Sequence, residues 1–233
     1  MKLTNKIFDV LEFVFLQNGN AVTPSMIADI QGMNIATATR ILQDLNARGY
    51  LHQVSRKTGY VPGPMIESLA TRKNVFSEIA NAAAAPVREL SEAIQQQVNI
   101  SVLDGVRRVM LCFYLPRIGL SPWDHFFFTD HWQTATGRLL LASLEKTEAE
   151  SVFRVCRIPE KNLAVLKKIR MTGYVCFRQD DLVVMGHLVR VPGYPAAAFG
   201  FGVPPEQEKE AFLLSGKTAK TISRNLCKNN KAY

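Results

Sequence analysis

At 233 residues, 47% of them hydrophobic, the chain exceeds one average domain and suits two, each with its own buried core. No apolar run reaches membrane-spanning length, and Met1 to Lys6 leads into an amphipathic pattern rather than a signal peptide, so a cytoplasmic protein without membrane contact is expected. The net charge of +8 favours a polyanionic partner, but residues 1–73 hold eight Lys/Arg against five Asp/Glu (a net of +3) and the remainder carries +5, so charge alone does not locate that partner.

Ile7, Val10, Leu11 and Val14 mark a first helix. Thr23-Pro24 is a helix start: Thr23 caps free N–H groups, and Pro24 at the first helical position needs no donor. Ile27 and Ile30 share a face of that helix. Gly32 can end it in a left-handed conformation, and Asn34 can cap the next. From about Ile35 to Arg48, Ala38, Ile41, Leu42 and Leu45 form one apolar stripe. The other face carries Ala36, Thr37, Thr39, Arg40, Gln43 and Asp44, small and polar enough for close approach to a DNA groove.

Gly49 ends this helix, Tyr50–Val54 reads as a strand, Ser55–Gly59 as a turn and Tyr60-Val61 as the returning strand. Arg56 and Lys57 sit at the turn, placed for the nucleic-acid backbone or a minor groove. Helix, turn, helix and hairpin in this order predict a winged helix-turn-helix over residues 1–64. A helical pair with a hairpin also exists without nucleic acid; the basic tip and the small polar face decide for DNA. The predicted DNA-contacting residues are Thr23, Ala36, Thr37, Thr39, Arg40, Gln43, Arg56 and Lys57.

Residues 65–86 predict a linker helix, interrupted at Pro86 after an Ala-rich run. Such helices pair between subunits, which suits a dimer reading twin half-sites. From 87 to 233 the pattern is mixed. Val87, Leu90 and Ile94 continue a helical face; Val98–Leu103 and Val109–Leu115 are strands around an Asp104-Gly105 turn. An aromatic loop, Pro116 to Asp130, holds Trp123, Phe126, Phe127 and Phe128. Thr134 opens a helix through Leu144, and another lies near Asn162 to Met171. Strands at Tyr174–Arg178, Leu182–Val191 and Ala196–Val203 precede a last helix from Glu206 to about Cys227. The predicted class is α+β, with a largely antiparallel sheet.

Thr134, Ala135, Thr136 and Gly137 form a helix start with hydroxyl donors and a bare glycine, a cradle for a carboxylate. Thr134 acting only as a cap is the competing reading. Trp123 and Phe128 can wall a pocket for an apolar or aromatic ligand, or serve as ordinary core. His125, Asp130 and His131 are metal-capable, but their spacing matches no standard zinc pattern. Cys112, Cys156, Cys176 and Cys227 form no CxxC pair and read as free thiols. No Gly-rich phosphate loop, serine-nucleophile elbow or His/Cys/Asp set emerges, so neither an enzyme nor a cofactor is expected.

The chain resembles the IclR family of bacterial transcription regulators nearly end to end. The resemblance rests on Ala36–Leu42, Leu45, Arg48–Leu51 and Gly59–Pro64, then on Val87–Leu90, Val98–Gly105, Thr134–Ala142 and Ile169–Tyr174. Departures are Ile35, where the family has a basic residue, Ala135-Thr136-Gly137-Arg138, and the strand Val184–Val189. The resemblance implies a ligand-responsive regulator that binds a double-stranded operator as a homodimer or dimer of dimers. It implies a GAF-like C-terminal domain for a small effector, a carboxylate or an aromatic acid, and puts Met185 and His187 in that pocket. The other reading is a GAF-like sensory or enzymatic protein that uses the winged helix for protein interaction.

Overall fold

Helix α1 (Leu3–Leu16) turns Val10 and Val14 inward against α2 (Pro24–Gln31) and α3 (Ile35–Ala47). The caps expected from sequence are present. Thr23 Oγ1 accepts from the Met26 amide at 3.3 Å, Gly32 ends α2 at φ 58°, and Asn34 accepts from the Ala36 amide at 2.8 Å. The stripe Ala38, Ile41, Leu42 and Leu45 joins Ile27, Val22, Leu51 and Tyr60 in one core. Strands β1 (Leu51–Ser55) and β2 (Gly59–Pro62) form an antiparallel hairpin with a bulge between Gln53 and Ser55. Val22 and Tyr60 exchange backbone hydrogen bonds of 2.8 and 2.9 Å, tying the wing to the start of α2. That approach requires Gly59: at φ +105°, a Cβ there would lie 2.4 Å from the Val22 carbonyl oxygen. Short helix α4 (Pro64–Ala70) follows.

The computed structural model describes residues 3–72, 74–116 and 127–230. Among the described residues, 3–72 form one unit, and 74–116 with 127–230 form the other. The second unit begins with α5 (Val75–Ile94), capped by Asn74 and running unbroken through Pro86. Proline removes the bond to the carbonyl four residues back. Here that carbonyl, on Ala82, accepts instead from Asn225 Nδ2 at 3.0 Å.

Among the described residues, six strands then make one antiparallel sheet: β3 (Val98–Asp104), β4 (Arg107–Tyr114), β5 (Phe127–Phe128), β6 (Tyr174–Gln179), β7 (Leu182–Val189) and β8 (Ala197–Val203). Their order across the sheet is β5-β4-β3-β8-β7-β6. Helix α5 and the last helix, α9 (Glu208–Asn230), cover one face with Ile79, Val87, Leu90, Ile222 and Leu226. Helices α6 (Ala135–Ser143), α7 (Lys146–Val155) and α8 (Leu163–Thr172) cover the other with Leu139, Leu140, Phe153 and Ile169. Successive strand side chains alternate between these two cores.

Two elements were not expected. Helix α7 is marked by a capping box between Glu145 and Glu148 and by Ala149, Val152 and Phe153 on one face. Strand β5 forms inside the aromatic stretch expected to be loop, where Phe127 and Phe128 pair with Val109 and Arg108. Among the described residues no helix is long and apolar enough to cross a membrane.

Candidate nucleic-acid interface and ligand face

In the first unit the apolar stripe of α3 is spent on the core, so the opposite side is presented outward. Ala36, Arg40 and Gln43 are exposed there, with Thr37 and Thr39 half-buried. Thr39 Oγ1 donates to the Ile35 carbonyl at 2.8 Å, so its proton is used within the helix and only its lone pairs remain for a ligand. Thr23 divides its hydroxyl between the Met26 amide and Ser25 Oγ, 3.1 Å away. Arg56 and Lys57 are exposed at the wing tip, in a turn closed by Ser55 Oγ, which donates to Thr58 Oγ1 at 2.8 Å and accepts from the Thr58 amide at 2.9 Å. The structure thus brings Ala36, Thr37, Thr39, Arg40 and Gln43 onto one helix and puts the wing cations on one tip. Ile35, noted from sequence as a departure from the family's basic residue, is 55% exposed in the first turn of α3, beside this set. An exposed apolar side chain at that place suits a thymine methyl.

In the second unit, Thr134, Ala135, Thr136 and Gly137 start α6 against the sheet. Thr134 Oγ1 accepts from the Gly137 amide at 3.1 Å, which makes it the helix cap. Ala135 and Thr136 lie over two glycines of the sheet: a Cβ on Gly200 would stand 3.1 Å from Ala135 Cβ and 3.2 Å from Thr136 Cγ2. The bare Cα of Gly137, expected to admit a ligand, is filled by the chain itself; a Cβ there would lie 2.2 Å from the His131 carbonyl oxygen. Phe128 is half-buried beneath the Arg108 guanidinium, 4.6 Å from its ring centre. Trp123, like His125, lies outside the described residues.

Met185 and His187 are on the other face. Met185 is buried in the α5/α9 core, while Gly186, one residue along β7, faces α6. His187 stacks on Phe199 at 5.8 Å, and its Nε2 lies 3.0 Å from Ser215 Oγ on α9. Ser215 spends its one proton on the Phe212 carbonyl, 2.9 Å away, so His187 must donate from Nε2. Burial pushes its pKa down to about 4. The sheet therefore separates Met185 and His187 from Thr134–Gly137, because side chains two apart on a strand share the face that their neighbour between them does not.

Alternation brings different polar groups to the α6 face: Asn99 and Ser101 on β3 and Arg108 on β4. Asn99 Nδ2 donates to the Gly200 carbonyl at 3.4 Å, and Ser101 Oγ donates to Asn99 Oδ1 at the same distance. Arg108 is 2% exposed, and its Nη2 meets Asp130 Oδ1 at 2.7 Å. His131 is fully buried, with Nε2 2.9 Å from the Val106 carbonyl, so that nitrogen carries the proton. Burial, more than any neighbouring charge, lowers its pKa and keeps the ring neutral. Asp130 and His131 thus serve Arg108 and the β3–β4 turn. Among the described residues, Arg108 Nε, a donor, and His131 Nδ1, an acceptor, are buried without a hydrogen-bond partner, so each can still bond a polar ligand group or a bridging water. Arg138, next in α6, is occupied: its Nε donates to the Trp132 carbonyl at 2.6 Å, and its guanidinium lies between the Trp132 and Phe177 rings. In sequence Arg108 stands just before the expected strand Val109–Leu115, whereas the strand begins at Arg107 and carries it.

No protein-family model matches the chain, and no curated protein does. Solved structures do, over nearly all of it. An IclR homolog from Microbacterium hydrocarbonoxydans, complexed with 4-hydroxybenzoate, superposes with a TM-score of 0.77 at 17% identity, covering 97% of this chain and 99% of its own. The IclR of Thermotoga maritima gives 0.67 at 21% identity, with 96% and 98% covered. The chain has the IclR fold. An IclR-type transcriptional regulator from Alicyclobacillus acidocaldarius shares that fold at a TM-score of 0.71 and 16% identity, with 96% and 98% covered. The likeness extends through both units, so it covers the winged helix-turn-helix and the helix-covered antiparallel sheet alike.

Proposed function

We propose that this protein is a ligand-responsive transcriptional regulator. It binds double-stranded operator DNA through α3 and the wing and senses a small molecule on the α6 face of its second unit. The observation that carries the reading is the outward face of α3, where Ala36, Thr37, Arg40 and Gln43 stand clear of a core that takes the rest of the helix. A small-polar helix face with one long cation suits a major groove, and the wing cations suit the flanking phosphates. The neighbour that holds 4-hydroxybenzoate supports a small aromatic acid as effector class. In this chain the polar groups offered to such a molecule are Asn99, Ser101, Arg108 and His131, together with the Thr134 end of α6. Thr23 acts first as a cap, and Met185 and His187 support the opposite core. We further propose a cytoplasmic homo-oligomer, a dimer or dimer of dimers, that acts by binding and catalyses no reaction. Effector binding shifts operator affinity by a coupling free energy of about 1–3 kcal/mol.

The test is selection of bound fragments from the source genome, followed by titration of the best fragment with wild type and Arg40→Ala. A specific complex that Arg40→Ala weakens by roughly 1–3 kcal/mol is expected. Wild-type affinity in the variant removes Arg40 from the interface. No binding by wild type in the presence or absence of 4-hydroxybenzoate overturns the reading in favour of a protein-interaction role for the winged helix.

A further inference from the structure

The last helix of the second unit carries a row of cations. Lys217, Lys220, Arg224 and Lys228 of α9 are all exposed. Their intervals of three, four and four residues keep them on one side of the helix. From Lys217 to Asn230 there is no Asp or Glu. Among the described residues no carboxylate forms an ion pair with any of the four. The helix macrodipole accounts for a cation in the last turn, here Lys228. It does not account for Lys217 and Lys220, which lie more than two turns upstream, because the effect fades within one turn. The stripe is about 16 Å long at 1.5 Å per residue, the axial length of roughly five phosphates of one strand.

Its place in the unit is a second observation. Asn225 donates to the Ala82 carbonyl, and Ile222 and Leu226 share a core with Ile79, Ala82 and Ala83. The basic half of α9 therefore lies beside the first turns of α5, the end of the unit at which the chain arrives from the winged helix.

We propose that the Lys217, Lys220, Arg224 and Lys228 face of α9 is a second DNA contact, which holds phosphates of the duplex outside the segment read by α3. The inference rests on the DNA-binding reading above. Its contribution is sequence-independent: each phosphate neutralised releases counterions and steepens the salt dependence of binding.

The experiment compares full-length wild type with K217Q/K220Q/R224Q/K228Q. Binding is measured against salt on a duplex of about 60 base pairs and on one trimmed to about 20. All four side chains are exposed, so thermal melting should be unchanged. Loss of two to four contacts lowers the slope of log affinity against log salt by about 2 to 3.6 on the long duplex, and by little on the short one. The charge-keeping set K217R/K220R/R224K/K228R should restore the wild-type slope. An unchanged slope in the Gln variant on the long duplex overturns the proposal. A fourth protein, Arg40→Ala with Arg56→Gln and Lys57→Gln, separates the two readings. If it loses binding while the α9 variant matches wild type, only the α9 contact fails. If wild type binds neither duplex, the DNA reading fails and takes the α9 contact with it.

Discussion

Asn225→Ala removes one amide from a half-buried position, and its cost should depend on a proline in α5, four helices earlier in sequence. Pro86 has no N–H, so the carbonyl of Ala82 loses its helical donor. Ala82 is 6% exposed, and Asn225 Nδ2 supplies a replacement at 3.0 Å. Cutting that bond leaves a buried carbonyl unpaired, which costs about 1–3 kcal/mol. Asn225 is only half-buried, so water can follow the lost side chain, and the lower half of that range is expected. In a Pro86→Ala background residue 86 regains an N–H within reach of Ala82. There Asn225→Ala should cost about 0.5 kcal/mol or less, the worth of a redundant bond. The assay is urea unfolding of wild type, both single variants and the double variant, read as a double-mutant cycle. A coupling near 1 kcal/mol is expected, equivalent to roughly 2–4 °C in the melting of a unit this size. Equal costs in the two backgrounds would show that Asn225 does not compensate Pro86.

Two glycines in helices should respond in opposite directions. Gly137→Ala sets a Cβ 2.2 Å from the His131 carbonyl oxygen and should lower stability by about 3 kcal/mol or more, since backbone must move. Gly216→Ala in α9 meets nothing within 4 Å and should gain about 0.5–1 kcal/mol, both read by thermal melting. His187 is held neutral down to about pH 4, whereas the unfolded chain takes up that proton near its ordinary value of about 6.5. Stability is therefore full above that value and falls as pH drops towards 4, because the unfolded state binds more protons in that window. His187→Gln should lose less stability than wild type between pH 7 and pH 5; equal losses would mean that the ring is not buried neutral.

The first unit was legible almost residue by residue because its signals are local. A cap hydroxyl, a proline at the first helical position and a left-handed glycine act over three or four residues, and Thr23, Pro24, Gly32 and Asn34 each do so where expected. Ile35 stood out only as a departure from the family pattern, and only the fold shows that its side chain is exposed in the first turn of α3. In the second unit the strands were readable, yet α7 was passed over: Val152 and Phe153 sit among charged residues, and its capping box uses Glu145 rather than a Ser or Thr. Pro86 read as an interruption because Asn225, which serves the Ala82 carbonyl that Pro86 leaves without a donor, lies 143 positions from Ala82.

The amino-acid sequence by itself determined the order of elements apart from α7 and β5, the α+β class, the winged helix and the outward set on α3, since each depends on neighbours within one or two turns. Only the tertiary structure decided which side of the sheet each strand residue serves. Shifting parity by one exchanges the faces, and nothing local distinguishes a strand covered on both sides by apolar helices. That is why Met185 and His187 belong to the α9 core and Gly186 to α6, why Gly137 admits the His131 backbone, and why Asn99, Ser101 and Arg108 came together only once the chain had folded.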